Sequence, residues 1–174
     1  MRRRRLKDLW SWLELIDREG PFVAIPALKR VWPQGMPVAH ESTRAVLRDA
    51  KPTFDRAWDT WNTAAVDDDA ALRAYRAARD TWVATVLREA AGWGSHLTLD
   101  PAIVPGGPLV ASSPDGRHTV TAAGAFARQD NVAALVLVVD PVASLRDAGT
   151  DGWSATPIDR LELLLRRTEI PVGV

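Results

Sequence analysis

Two carboxylates are the side chains best placed for chemistry: Asp115, within Pro114-Asp115-Gly116, and Asp140, which closes the run from Ala133 to Pro141, AALVLVVDP. That run is apolar, uninterrupted and rich in β-branched residues, so it reads as a strand buried on both faces with a carboxylate at its C-terminal mouth. Hard oxygen ligands of this kind hold Mg²⁺, which orients and activates a water and stabilises charge developing on a phosphate. The second acid follows the first by 25 positions, and Val142 stands two residues beyond it. The chain's three lysines all precede residue 52. Arg146 or an N-terminal lysine could approach in space, but arginine exchanges protons poorly because it stays charged. A plainer reading stands beside this one: Pro-Asp-Gly is a turn sequence, and Asp-Pro commonly marks the end of a strand.

Other catalytic sets are missing. Cysteine is absent, which excludes disulfides, thiol catalysis and thiolate metal sites. His40, His96 and His118 are scattered and show no metal-ligand spacing. Gly106-Gly107 runs into Pro108 without the lysine of a phosphate loop, and no serine stands in a nucleophile elbow. Lys plus Arg equals Asp plus Glu at 22 each, so no global basic character announces nucleic acid. Residues 1–56 nevertheless carry 12 basic side chains against 7 acids. Arg2, Arg3, Arg4, Arg5 and Lys7 lead that excess and are the candidate DNA-phosphate contacts; the alternative is a solvated tail. Asp8, Glu14 and Asp17 interrupt any apolar signal core, and no run approaches a membrane span, so a soluble, cytoplasmic protein without a membrane partner is expected.

The elements that must position the carboxylates follow from periodicity and punctuation. Leu6, Leu9, Trp10, Leu13 and Ile16 make one helical stripe, and Pro26 begins a short helix within residues 22–32. A further helix is expected from Pro52, a good first-turn residue, with Phe54, Trp58 and Trp61 on one face. Asp67 to Asp69 opens the next, carrying Leu72, Tyr75, Trp82, Val83, Val86 and Leu87, and Gly92 closes it as an αL cap. The last two helices should pair antiparallel, and their tryptophans at helical spacing read as core rather than as base-stacking platforms. Beyond Gly92, Leu109 to Ser112 and His118 to Ala122 form a hairpin through the turn Ser113-Pro114-Asp115-Gly116. After the strand ending at Asp140, Thr156-Pro157-Ile158-Asp159 starts a helix with three agreeing capping signals. Ile170 to Val174 reads as another strand, giving a right-handed parallel βαβ unit. The expected architecture is α+β or α/β: a Trp-rich helical layer over 1–92, then a small mixed sheet over 93–174 cut short at its C-terminal strand.

Pro114-Asp115 followed by Asp140-Pro141-Val142 resembles the PD-(D/E)xK nucleases, with both acids present and the lysine replaced, which implies a degenerate nuclease-like sheet. Leu135 to Asp140, Asp151-Gly152-Trp153, the run Pro157-Ile158-Asp159-Arg160-Leu161-Glu162-Leu163-Leu164-Leu165-Arg166 and Ile170-Pro171-Val172-Gly173-Val174 together resemble the N-terminal part of large type IIG-like restriction-modification and phage-defence adenine methyltransferases of actinobacteria. In that family a nuclease-like region precedes the methyltransferase domain. The resemblance implies DNA and a C-terminal methyltransferase domain, or other defence-system subunits, as partners. It implies Mg²⁺ at Asp115 and Asp140 if that site functions, and S-adenosylmethionine only in the C-terminal part. The N/D-P-P-Y/F motif beside a flipped adenine does not occur in this sequence, so the expected role is a DNA-contacting module without catalysis of its own. The competing expectation is a protein interaction module or scaffold.

Overall fold

Helix α1 (Glu41–Thr63) and helix α2 (Asp69–Thr85), the latter prolonged by a π-helical turn (Val86–Ala90), begin the unit formed by residues 41–174. The computed structural model describes residues 39–174 apart from 143, 149 and 150, together with residues 30 and 33. The stripe of Leu6 to Ile16, the helix expected at Pro26 and the basic set Arg2 to Arg5 and Lys7 lie outside the described residues.

The two helices run antiparallel because ring contacts late in α1 fall early in α2. Trp61 stacks on Tyr75 with centroids 4.8 Å apart, Trp58 meets Tyr75 edge-on at 5.5 Å, and Phe54 stacks on Trp82 at 6.0 Å. The partly covered residues Thr43, Leu47, Ala50, Phe54, Ala57 and Trp61 recur at alternating spacings of four and three, the stripe of a helix packed along one neighbour. Helix α1 therefore begins at Glu41 and not near Pro52, which lies inside it. Proline there removes the hydrogen bond to the Arg48 carbonyl; both residues are exposed, so water can serve that carbonyl and the helix continues. No residue of α1 is buried, and in α2 only Ala71 and Tyr75 are. Asp68 caps α2 by accepting from the Ala70 and Ala71 amides. At the far end Gly92 takes φ +69° as expected, and the Trp93 amide donates to the Leu87 carbonyl at 3.1 Å.

The strands form two small antiparallel sheets. Strands β1 (Leu97–Thr98), β4 (Gly124–Arg128) and β5 (Asn131–Val136) lie in the order β1-β4-β5; β2 (Val110–Ser112) and β3 (Thr119–Thr121) form the expected hairpin. The strand expected over Ala133 to Val139 thus starts earlier, at Asn131, and ends as a paired strand at Val136. Its partner β4 is an addition to the sequence reading. The β4–β5 turn places Gln129 and Asp130 at φ 49° and 64°, the two left-handed positions of a tight hairpin turn. Gly124 permits β4 to lie against β1: a Cβ there would stand 2.1 Å from the Thr98 carbonyl oxygen.

The C-terminal segment adds to β5 in parallel. The Leu135 amide donates to the Val172 carbonyl at 2.9 Å, the Val174 amide to the Leu135 carbonyl at 3.0 Å, and the Leu137 amide to the Val174 carbonyl at 2.8 Å. Between them helix α3 (Pro157–Thr168) starts with the anticipated capping box: Thr156 Oγ1 accepts from the Asp159 amide, and Asp159 accepts from the Thr156 amide. Its Leu164 and the Leu135 of β5 are the two largest fully buried side chains, packed with Ala111, Val120, Ala122 and Ile170. The main core therefore lies under α3, and the helical pair holds a separate aromatic contact.

Candidate functional site

Past Val136 the chain of β5 runs on through Val138 and Val139 and delivers Asp140 to a cleft of about 450 Å³ facing α2 and the start of α3. Arg76, Arg79, Asp140, Val142, Asp151 and Arg160 are among its lining residues. Arg76 and Arg79 stand one turn apart on α2. Tyr75, Trp82 and Val83 flank Arg79 at helical spacing, so its stem lies on the inward face and its head must find an acceptor. Its side chain is 15% exposed. Nη1 of Arg79 donates to the Asp140 carboxylate at 2.8 Å and to the Val139 carbonyl at 3.1 Å. Arg76 closes on the same carboxylate as a fork, Nε donating to Oδ1 at 3.0 Å and Nη2 to Oδ2. The Arg76 hydrogen bond holds the Asp140 carboxyl below the usual carboxylate range, partial burial opposes this, and the charges of both arginines reinforce it.

The second carboxylate of the cleft is Asp151. Arg160, one turn into α3, grips it with two 2.7 Å hydrogen bonds from Nη1 and Nη2. The same guanidinium donates to the Ala155 and Trp153 carbonyls and lies 4.7 Å from the Trp153 ring centre. The Arg160 bonds chiefly push the Asp151 carboxyl down to about 2. Trp153 in turn stacks parallel on His118, with centroids 5.4 Å apart.

Asp115 is placed differently. It sits in the β2–β3 turn, where its carboxylate accepts from Ser113 Oγ at 2.5 Å and from the Arg117 amide at 3.1 Å. The Ser113 bond chiefly lowers its pKa. It is a turn-forming residue and does not line the cleft that Asp140 enters. Val142 does line it, so no amine stands at the lysine position. The carboxylate neighbour that the fold supplies to Asp140 in that cleft is Asp151.

A hard dication needs carboxylate oxygens free to coordinate it. Here three guanidiniums surround two carboxylates and engage all four of their oxygens. As arranged, that donor set does not fit Mg²⁺. Among the described residues no set of three or more His, Asp or Glu is grouped to hold a metal ion. What the cleft can do is bind planar or tetrahedral oxyanions, because Arg forks match carboxylate and phosphate geometry; three arginines and two acids line it, and Arg79 Nε also donates to the neighbouring Asp80 at 2.9 Å. Sequence reasoning finds Asp140 but misses its partners. The available signal is an arginine pair at i, i+3 on α2, one member lying among apolar positions where a counter-charge is required.

No protein-family model, curated protein or solved structure matches this chain. Among the described residues no helix is long and apolar enough to cross a membrane.

Proposed function

We propose that this chain is a non-catalytic, DNA-contacting module, with the degenerate nuclease-like sheet and the restriction-modification or phage-defence context that its sequence resembles. The observation that carries the reading is the guanidinium cleft of Arg76, Arg79 and Arg160 at the C-terminal end of β5, where open sheets commonly bind ligands. Phosphodiesters suit it because arginine forks bind phosphate oxygens. The N-terminal cations Arg2 to Arg5 and Lys7 would add phosphate contacts. Methyl transfer, with its S-adenosylmethionine, belongs in this reading to a C-terminal methyltransferase domain or to another subunit. The same observation argues against cleavage, since Asp140 serves the arginines.

Two measurements test this. Fluorescence anisotropy of a labelled duplex of about 20 base pairs with the 174-residue chain should give an affinity that falls steeply as salt rises; no binding, or binding indifferent to salt, refutes DNA contact. Plasmid incubated with the chain and Mg²⁺ or Mn²⁺ should stay supercoiled. Nicking that is abolished by Asp140→Ala would restore the nuclease and remove the non-catalytic reading.

A second reading, a protein interaction module, is favoured by α1, which buries no residue and leaves Val46 41% exposed. Sedimentation velocity discriminates. A mass that grows with concentration and is reduced by Val46→Asp supports association through α1; a constant monomer mass opposes self-association.

A further inference from the structure

Arg79 lines three clefts along the junction between α2 and the β-region. Besides the 450 Å³ cleft, Arg79 lines an apolar cleft of about 360 Å³ with Trp82, Val86, Leu87 and Val136, and a third of about 170 Å³ with Val83, Leu99 and Ala123. Among the described residues, the hydrogen bonds from α2 to the β-region all end on Val139 and Asp140. The main core under α3 includes no residue of α1 or α2. Among the described residues the polar tie between the helical pair and the β-region is thus this ion-pair latch, which stands beside the apolar side chains of Trp82, Val83, Val86 and Leu87.

The latch is built to exchange. Arg79 is largely covered and also donates from Nε to the Asp80 carboxylate at 2.9 Å, whereas Asp140 is 46% and Arg76 45% exposed, so solvent and solutes reach the contact. Arg76 presents Nε and Nη2 side by side to two oxygens of one acceptor, and Arg79 adds a third donor from the other side. Three convergent N–H donors on an oxyanion suit a phosphate at least as well as a carboxylate.

We propose that Asp140 is the resident occupant of a phosphate site on Arg76 and Arg79, and that a phosphate group takes its place there and unlatches β5 from α2. The inference rests on the DNA-contact reading for the source of that phosphate, a phosphodiester of the backbone, and adds that the acid at the mouth of β5 opposes binding. Removing it strengthens the site. An exposed ion pair of ordinary strength leaves the arginines free in a minority of molecules, so abolishing it should raise apparent affinity about three- to fivefold.

The test uses the full chain as wild type, Asp140→Asn and Arg76→Gln, with calorimetric titration of pyrophosphate and anisotropy of the labelled duplex, after thermal melts establish that each variant is folded. The expected result is tighter binding of both probes by Asp140→Asn and weaker binding of both by Arg76→Gln. Tighter pyrophosphate binding with unchanged duplex affinity upholds the exchange site and removes DNA as its ligand. Duplex binding that neither variant alters, with pyrophosphate binding also unaltered, upholds DNA contact elsewhere and overturns the exchange site. Weaker binding of both probes by a folded Asp140→Asn, or no binding by any variant, also overturns it. If Asp140→Asn does not fold, Arg79→Lys provides the second arm. That variant keeps the charge but loses the planar donor set, so unchanged pyrophosphate binding in it counts against the proposal.

Discussion

Replacing Asp151 by asparagine removes the charge that Arg160 grips while leaving an amide oxygen to accept one of its bonds. The folded-state pKa of Asp151 lies at about 2 against 3.8 for the free side chain. That difference of nearly two units corresponds to about 2.5 kcal/mol if taken at face value. Asp151 is 55% exposed, so solvent screens the pair and the expected net contribution is about 1 kcal/mol. Because the folded pKa is depressed, this stabilisation is complete above about pH 5 and is lost as pH falls through the native value of about 2. Wild type and Asp151→Asn should therefore differ by about 1 kcal/mol at neutral pH, or about 4 °C in Tm for a unit of this size. The gap should narrow progressively below about pH 4. Urea melts of both proteins at about pH 7, 4 and 2.5 measure it across that window. The depressed pKa values of Asp140, Asp115 and Asp159 are common to both chains and cancel in the difference. A gap that keeps its full size at the lowest pH would show that the substitution acts through the loop geometry, and would refute the assignment to charge.

Leu164→Ala empties a fully buried position against Leu135 and should lower unfolding free energy by about 3 kcal/mol in urea melts; a loss below about 1 kcal/mol would mean that α3 does not close the core. Gly124→Ala forces a methyl group onto backbone at Thr98 and Leu99, so it should destabilise by about 2 kcal/mol and expose the β1–β4 amides to hydrogen exchange; a neutral result would remove the close approach as the reason for glycine. Thr156→Ala breaks the capping box of α3 and should cost about 1 kcal/mol, while Thr156→Ser should restore most of it, as thermal melts can establish.

Features that depend on neighbours in sequence are legible in the sequence itself. The α3 capping box, the helix start within Asp67 to Asp69, the αL glycine at Gly92 and the turn at Ser113 to Gly116 each involve groups a few residues apart, and each stands as the sequence implies. The start of α1 is obscured because Pro52 resembles a first-turn residue, and nothing local says that its missing hydrogen bond falls on an exposed carbonyl. Strand β4, Gly-Ala-Phe-Ala-Arg, is obscured because it lacks β-branched residues. It is a strand because β1 and β5 flank it on either edge.

Asp140 shows where the two kinds of information divide. The sequence alone determines that an apolar β-branched run ends in a carboxylate, since side-chain composition is local; the fold ends strand β5 four residues earlier, at Val136. Whether that carboxylate meets a metal, a lysine or an arginine depends on which residues the fold brings to it, here from 61 and 64 positions away in the chain. Tertiary structure decides for Arg76 and Arg79, and leaves Asp115 in its own turn. The physical reason is that an ionised side chain takes its function from its nearest counter-charge, and over such chain distances only packing selects that neighbour.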